Sequence, residues 1–330
     1  MKKAFIIVAY LSTIFCSAQP KHDYTVVKTF HIASAGGWDY IAVHDGKLYV
    51  SHGTQVNILD ENSGDSLSFI PNTTGVHGIA FNEALNKGYT SNGRLNNVTV
   101  FDLATNQVAG QIATGENPDA ILYEPFSKTI ITCNGRSNNL SVIDPVKEKV
   151  IATIAVGGKP ETAVSDEKGR LFVNIEDKNE IVEIDLKDFT VKNHWSLGGA
   201  EGPTGLAIDK ATKRLFAGCD KKLVVLNTED GSIVTTVPIG DGCDGVAFSN
   251  AGKTIYTSNG EGTLTAILEN SPTKYTVLGN FKTKRGARTI AIDEKANTIF
   301  LPTAEFDPVA KGANGRPLMI PGTFQVLVMQ

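Results

Sequence analysis

Polar and charged residues recur along this sequence where short apolar segments begin, and their side chains could do chemistry. Arginine offers a planar, bidentate donor for a carboxylate or phosphate group. Carboxylates hold cationic groups or, through their oxygens, a hard divalent metal ion. Seven positions of this kind follow one another along the chain: Asp39, His77, Asp119, Glu161, Thr204, Asp244 and Arg288.

A second polar set lies further along each unit, between two predicted strands. Three of its members follow an Asn-Gly pair, and glycine there permits positive φ or a close approach of the backbone to a ligand. We expect residues from both sets to bind a ligand together. The predicted ligand-binding residues are Asp39, His77, Arg94, Asp119, Arg136, Glu161, Asn174, Glu176, Asp244, Glu261, Arg288 and Glu305.

His77 is the candidate for acid–base chemistry. Gly75 and Gly78 flank its Val76-His77 segment, and an imidazole can act as a base if an acid or oxyanion partner lies nearby. Glu161 and Arg288 are the candidate partners. A loop histidine that only forms hydrogen bonds is the structural alternative, just as salt bridges between neighbouring units are the alternative for the whole charged set.

An internal repeat must position these residues. An apolar segment of the type Gly-Ile-Ala-Phe recurs seven times, and equivalent residues are 38 to 44 residues apart, the length of one four-stranded propeller blade. A polar turn, two further strands with period-two alternation and a fourth strand follow each copy. The equivalent residues are Ala42, Ala80, Ile121, Ala163, Ala207, Ala247 and Ala291.

The two ends of the sequence complement each other. The last repeat stops after its third strand, 324–328, and residues 24–32 resemble an isolated fourth strand. Pairing them closes the ring and removes exposed strand edges. The sequence therefore predicts an all-β, seven-bladed propeller of four-stranded blades, with residues 19–330 as one domain and the last blade completed by the N-terminal strand. Ring closure would bring the two polar sets to one mouth of the central channel.

The repeats resemble the YVTN family of β-propellers, the YncE-like proteins. Tyr89-Thr90-Ser91-Asn92 and Tyr256-Thr257-Ser258-Asn259 are close to the tetrapeptide that names the family, and Val156-Gly157-Gly158-Lys159-Pro160 is similar to its closing motif. The resemblance extends over residues 24–329. It implies a propeller fold and an exported binding or surface protein, without a shared reaction.

Two functions are compatible with these residues. The first is an exported module that binds a small polar or anionic ligand, or a protein or peptide, at the channel mouth. The alternative is a metal-assisted hydrolase or lactonase-type propeller, by analogy of architecture. No catalytic motif decides between them and no cofactor is predicted, but a divalent cation would find candidate ligands in Glu161, Asn174 and Asp244.

The first eighteen residues predict export. Lys2 and Lys3 precede a twelve-residue apolar run that is shorter than the about 20 residues of a membrane span, and Ala18 ends a small-residue cleavage site. We expect a signal peptide, 1–18, and a periplasmic or secreted protein without a transmembrane segment. Lipid attachment at Cys16 is the alternative, disfavoured by the bulky Phe15.

Charge and cysteine content narrow the range of partners. The formal net charge is −4 without a block of Lys or Arg, so we expect no nucleic-acid partner. Three cysteines follow the leader, too few for a disulfide framework, although Cys219 and Cys243 could pair. The last repeat carries a long, turn-rich corner, 306–322, predicted to be a lid, a partner-contact loop or a disordered excursion.

Overall fold

A computed structural model describes residues 23–312, 315 and 317–330. Seven four-stranded antiparallel sheets make up almost all of this part of the chain. The predicted leader, 1–18, its cleavage site and Cys16 lie outside the described residues. In the described part, helical structure is limited to two short 3-10 turns, Glu83–Leu85 and Glu176–Lys178, and no helix there is long and apolar enough to cross a membrane.

Each sheet is one blade of a propeller, as the repeat predicts, and six of the blades are continuous in sequence. The strands of blades 1 to 3 are Trp38–His44, Lys47–His52, Gln55–Asp60 and Ser66–Ile70; Val76–Asn82, Lys87–Asn92, Asn97–Asp102 and Val108–Ala113; Pro118–Glu124, Thr129–Asn134, Asn139–Asp144 and Lys149–Ala155.

The same order continues around the ring. The strands of blades 4 to 6 are Pro160–Ser165, Arg170–Ile175, Glu180–Asp185 and Thr190–Ser196; Gly205–Asp209, Arg214–Cys219, Lys222–Asn227 and Ile233–Pro238; Cys243–Ser249, Thr254–Asn259, Thr263–Ser271 and Lys274–Lys282.

Blade 7 joins the two ends of the described chain. Its strands Ala291–Asp293, Thr298–Thr303 and Gln325–Met329 come from the last repeat, and Val26–His31 supplies the fourth. That strand pairs antiparallel with the third, with Phe30 opposite Val326. Sequence reasoning predicted this closure, and the structure confirms it.

The core lies between neighbouring blades. Strands in the middle of each blade are covered on both faces, so residues such as Leu48, Tyr49 and Val50 are fully buried. Apolar side chains of adjacent blades pack together there. For example, Phe30 in blade 7 and Phe324, just before its third strand, pack with Ile41 of blade 1. Successive side chains of a strand point to opposite faces of the blade, so they pack against different neighbouring blades.

Backbone hydrogen bonds tie the loops on one mouth of the channel to each other. The amide of Gly53 donates to Gly37, Gly75 donates to Gly53 and Gly93 donates to Gly75, all at 2.7–2.8 Å. Gly75 needs to be glycine, since its φ is +71° and a Cβ would lie 2.8 Å from the amide nitrogen of Arg94. These bonds place the loops before the first strands and the corners after the second strands on the same face.

Candidate functional site

A bulge at the start of the first strand recurs in five blades. The register of the first two strands shifts between Trp38 and Ile41 in blade 1, and the same shift recurs in blades 2, 3, 4 and 6. A bulge leaves a residue outside the ladder and re-aims its side chain. The side chains of the bulged positions come together in a charged cluster at one mouth of the channel: Asp39, His77, Asp119, Glu161 and Asp244.

His77 lies at the centre of this charged cluster. Its Nδ1 is 2.5 Å from Oδ2 of Asp39 and 3.6 Å from Oδ1 of Asp119. The contacts join blades 1, 2 and 3. Burial alone would lower the pKa of His77, but the hydrogen bond to Asp39 and the charges of Asp119, Asp39 and Glu161 raise it to about 9. The imidazole is therefore mostly protonated at neutral pH.

Arg288 and Lys159 complete the charged cluster. The guanidinium of Arg288 bonds to Asp244 and lies 3.6 Å from Oδ1 of Asp39. Nζ of Lys159 bonds to Glu176 and lies 3.1 Å from Oε2 of Glu161, as an ion pair without hydrogen-bond geometry. Each permanent cation therefore bridges two carboxyl groups. Lys159 and Glu176 are thereby part of the charged cluster.

Burial raises the proton affinity of the carboxyl groups. Asp119 is only 7% exposed, and its Oδ1 has no hydrogen-bond partner in the described part of the chain. Burial raises the pKa of Asp119 and, together with the charge of Asp119, that of Glu161. Burial also raises the pKa of Asp244, although Arg288 opposes this effect. The cluster is poised to take up a positive charge.

Tyr40 crosses the channel beneath the charged cluster. Its hydroxyl lies 3.4 Å from Oγ1 of Thr162, so the ring reaches from blade 1 to blade 4. Burial raises the pKa of Tyr40 well above its usual range. The ring packs against apolar residues of blades 3 and 4. Tyr40 thus links blade 1 to blades 3 and 4 next to the charged cluster.

A cleft of about 520 Å³ opens beside the charged cluster, between blades 1, 6 and 7. Trp38, Phe306 and Pro317 form an apolar wall, and Asp244, Arg285 and Arg288 line the cleft from the charged side. The Trp38 ring also stacks on Phe324, with centroids 5.4 Å apart.

The long corner of the last repeat contributes to this cleft. It contains a two-stranded hairpin, Phe306–Lys311 and Pro317–Met319. The hairpin places the ring centroid of Phe306 6.0 Å from that of Trp38. Residues 313, 314 and 316 lie outside the described part. Part of the corner therefore forms strands, and its role as a lid, a partner-contact loop or a disordered excursion stays a prediction.

The other predicted ligand-binding residues lie outside the charged cluster. Arg94 and Arg136 are exposed, without an ion pair in the described structure. Glu261 accepts a hydrogen bond from Thr263 at 2.8 Å, and Glu305 pairs with Lys284 at 2.5 Å. These four side chains rim the mouth.

Asn174 and the asparagines of the Asn-Gly pairs serve the fold. The amide of Asn174 donates to the carbonyls of Thr204 and Gly205 in the next blade. Asn92 and its counterparts are buried and bond within their own blades. His52, in the second polar set, is buried between Ser34 and the carbonyl of Gly36.

The potential metal ligands that come together differ from the predicted set. In the described residues, Glu161 and Asp244 join no group of ligand atoms close enough to share an ion, and Asn174 bonds to backbone. Asp39, His77 and Asp119 do form such a group, with ligand atoms within 4.8 Å of one another. The sequence signal that could have found it is the identical position of the three residues in consecutive repeats.

The three cysteines that the structure describes do not pair. Cys133, Cys219 and Cys243 are free and buried. The thiols of Cys219 and Cys243 approach backbone carbonyls of Ala217 and Gly245 at 3.8 and 3.7 Å. The disulfide considered for Cys219 and Cys243 is absent from the structure.

Sequence reasoning missed the aromatic wall, Arg285 and Lys159. Trp38 directly precedes the first bulged residue, and Lys159 lies two residues before Glu161. For Trp38 and Lys159, the signal in the sequence was their proximity to Asp39 and Glu161, which were already predicted to bind a ligand. Phe306 carried no such signal, because only the hairpin brings it to the mouth.

The architecture matches a solved structure. Kuenenia stuttgartiensis hydrazine synthase aligns with a TM-score of 0.72 over 82% of this chain and 94% of that chain. The chain has a seven-bladed β-propeller fold. At 15% identity the likeness shows the fold alone. No family model and no curated protein matches the chain, so the YVTN likeness stays a resemblance of motifs.

Proposed function

We propose that this protein is an exported binding module that holds a small, partly anionic ligand in the cleft beside the charged cluster. The observation that carries the proposal is the cleft itself, with an aromatic wall facing two arginines. Its volume of about 520 Å³ lies in the range of small-molecule sites, which combine apolar walls with a few polar groups.

The two arginines differ in their exposure and in their ion pairs. Arg285 is exposed and has no ion pair in the described residues. The side chain of Arg288 is 41% exposed even though it pairs with Asp244. A carboxylate or phosphate group can therefore bind to Arg285 and to the exposed part of Arg288. The neighbouring Asp39 and Asp244 hold Arg288 in place.

The apolar wall selects the remainder of the ligand. The rings of Trp38 and Phe306 line the cleft, and a planar or apolar group can pack against them. We therefore propose an organic acid or phosphate ester with such a group. The leader-like sequence of residues 1–18 supports a location in the periplasm or outside the cell.

Tryptophan fluorescence gives a direct test, because the chain has two tryptophans and only Trp38 lines the cleft. The variant Trp195→Phe keeps Trp38 as the single reporter; Trp195 is buried on Phe172, away from the cleft. Titration with a panel of aromatic and aliphatic organic acids and phosphate esters should produce saturable changes for members that combine an anion with a planar group.

Arg285→Ala should weaken binding by about tenfold or more, because it removes an anion contact worth about 1.5 kcal/mol or more. Arg136→Ala is the matched control, an exposed arginine on the same face outside the cleft, and should leave binding unchanged. Equal loss in both variants would reduce the effect to general surface charge and refute the cleft. So would a panel without any saturable response.

A further inference from the structure

We propose that Asp39, His77 and Asp119 form a binding site for a first-row divalent metal ion of the Zn²⁺ type at the centre of the charged cluster. Their ligand atoms lie within 4.8 Å of one another. Each residue occupies the same bulged position in one of three consecutive blades. The site stands on its own geometry and does not depend on a ligand in the cleft.

The distances suit an ion after a small side-chain adjustment. Zn²⁺ binds imidazole nitrogen and carboxylate oxygen at about 2.0–2.2 Å, which separates tetrahedral ligands by about 3.4 Å. Nδ1 of His77 is 3.6 Å from Oδ1 of Asp119 and 2.5 Å from Oδ2 of Asp39. The contact with Asp39 must therefore open by about 1 Å. The two aspartate oxygens lie within 4.8 Å of each other.

A buried oxygen without a partner points to the cation independently. Asp119 is 7% exposed, and its Oδ1 lacks a hydrogen bond in the described structure. A buried carboxylate oxygen in this state is costly unless it is protonated or meets a cation. The backbone of Asp119 is held in place, because Ser91 of the neighbouring blade donates to its carbonyl. The side chain extends from this backbone towards His77, with its Oδ1 3.6 Å from Nδ1.

The permanent cations of the charged cluster pair with carboxyl groups other than that of Asp119. Lys159 pairs with Glu161 and Glu176, and Arg288 pairs with Asp244 and Asp39. Among the described residues, His77 is the one basic side chain within ion-pair distance of Asp119. A divalent ion that displaces the proton of His77 would add positive charge where the two aspartates converge.

The donor set indicates the kind of ion. One imidazole nitrogen with two carboxylate oxygens suits Zn²⁺ and neighbouring first-row ions, whereas Ca²⁺ and Mg²⁺ prefer all-oxygen sites. Glu161 lies near enough to influence Asp119 electrostatically, and water can fill the remaining position. The three blades fix the ligand spacing, so the site would be rigid.

The test uses the whole mature protein, stripped of metal with a chelator and then titrated with ZnCl2 or CoCl2. We expect one equivalent of metal per chain by mass spectrometry of the dialysed protein, and the intense visible absorption of four-coordinate Co²⁺. Asp119→Asn and His77→Gln should each weaken binding by more than about tenfold. Glu261→Gln is the control, since it removes a carboxylate at the rim of the same mouth outside the charged cluster, and it should bind as the wild type does.

Failure to bind an equivalent of Zn²⁺ or Co²⁺ at micromolar to millimolar concentrations would overturn the proposal. So would retention of full affinity in both ligand variants, or a loss in Glu261→Gln as large as theirs. If a variant does not fold, nuclear magnetic resonance of the wild-type imidazoles decides: Zn²⁺ should shift the His77 signals selectively, and an unchanged spectrum would refute the site. Ligand binding in the cleft is read separately from Trp38 fluorescence.

Discussion

Glu61 and Asp293 predict a pH-dependent weakness where the ring closes. Glu61 follows the third strand of blade 1, and Asp293 ends the first strand of blade 7. Burial, followed by the hydrogen bond and charge of Asp293, raises the pKa of Glu61 to about 7. The pKa of Asp293 is lowered: burial opposes this, but the hydrogen bond from Glu61 favours its charged form. Protonated Glu61 thus donates to ionised Asp293.

The sign of the effect follows from linkage. Native Glu61 holds its proton up to about pH 7, whereas the unfolded chain releases it near its ordinary pKa of 4.5. The native state therefore binds more protons between these values, and the free energy of unfolding falls as pH rises through this window. The pKa difference corresponds to at most about 3 kcal/mol. Partial hydration of the carboxyl group reduces this to about 1–2 kcal/mol.

Glu61→Gln replaces the proton with a permanent amide donor of the same shape. We expect the variant to exceed the wild type by about 1–2 kcal/mol at about pH 8 and by much less at about pH 5. Chemical denaturation at both pH values measures the difference, and other titrating groups cancel between the two proteins. The control is Glu305→Gln, because Lys284 lowers the pKa of Glu305 and its carboxylate stabilises the fold when charged.

Parallel stability curves for Glu61→Gln and the wild type across this range would refute the reasoning. So would an equal gain in Glu305→Gln, because the two glutamates have pKa shifts of opposite direction.

Two further predictions concern the framework of the site. Phe30→Ala should lower the free energy of unfolding by about 3–5 kcal/mol, because Phe30 is 5% exposed and packs over Gly64 where the N-terminal strand closes the ring. Chemical denaturation measures this loss, and an unchanged midpoint would contradict the role of Phe30 in closure. The three described cysteines should react with a thiol reagent in denaturant, and none should react rapidly in the native protein: Cys133, Cys219 and Cys243. They are buried, and burial raises the pKa of Cys219 to about 12. An intact mass that changes with reductant would contradict their free state.

The repeat made the architecture predictable. The sequence contains seven copies of one pattern, the last of them lacking its fourth strand, and an N-terminal segment that matches that strand. Pairing of this segment with the last copy is the favoured closure of the ring, because unpaired strand edges are unfavourable. The positions of Asp39, His77, Asp119, Glu161 and Asp244 at one mouth follow from the same repeat. Local sequence could therefore propose which residues meet.

The tertiary structure decided which of those residues contact one another. The sequence does not distinguish Asp119, buried beside His77, from Arg94, exposed at the rim, because both lie at loop positions of a repeat. The bulges, the radial packing of the blades and the hairpin at Phe306 fix those relations. Pairing, burial and the cleft are properties of distance in space, and they arise only when residues from different blades surround the same axis.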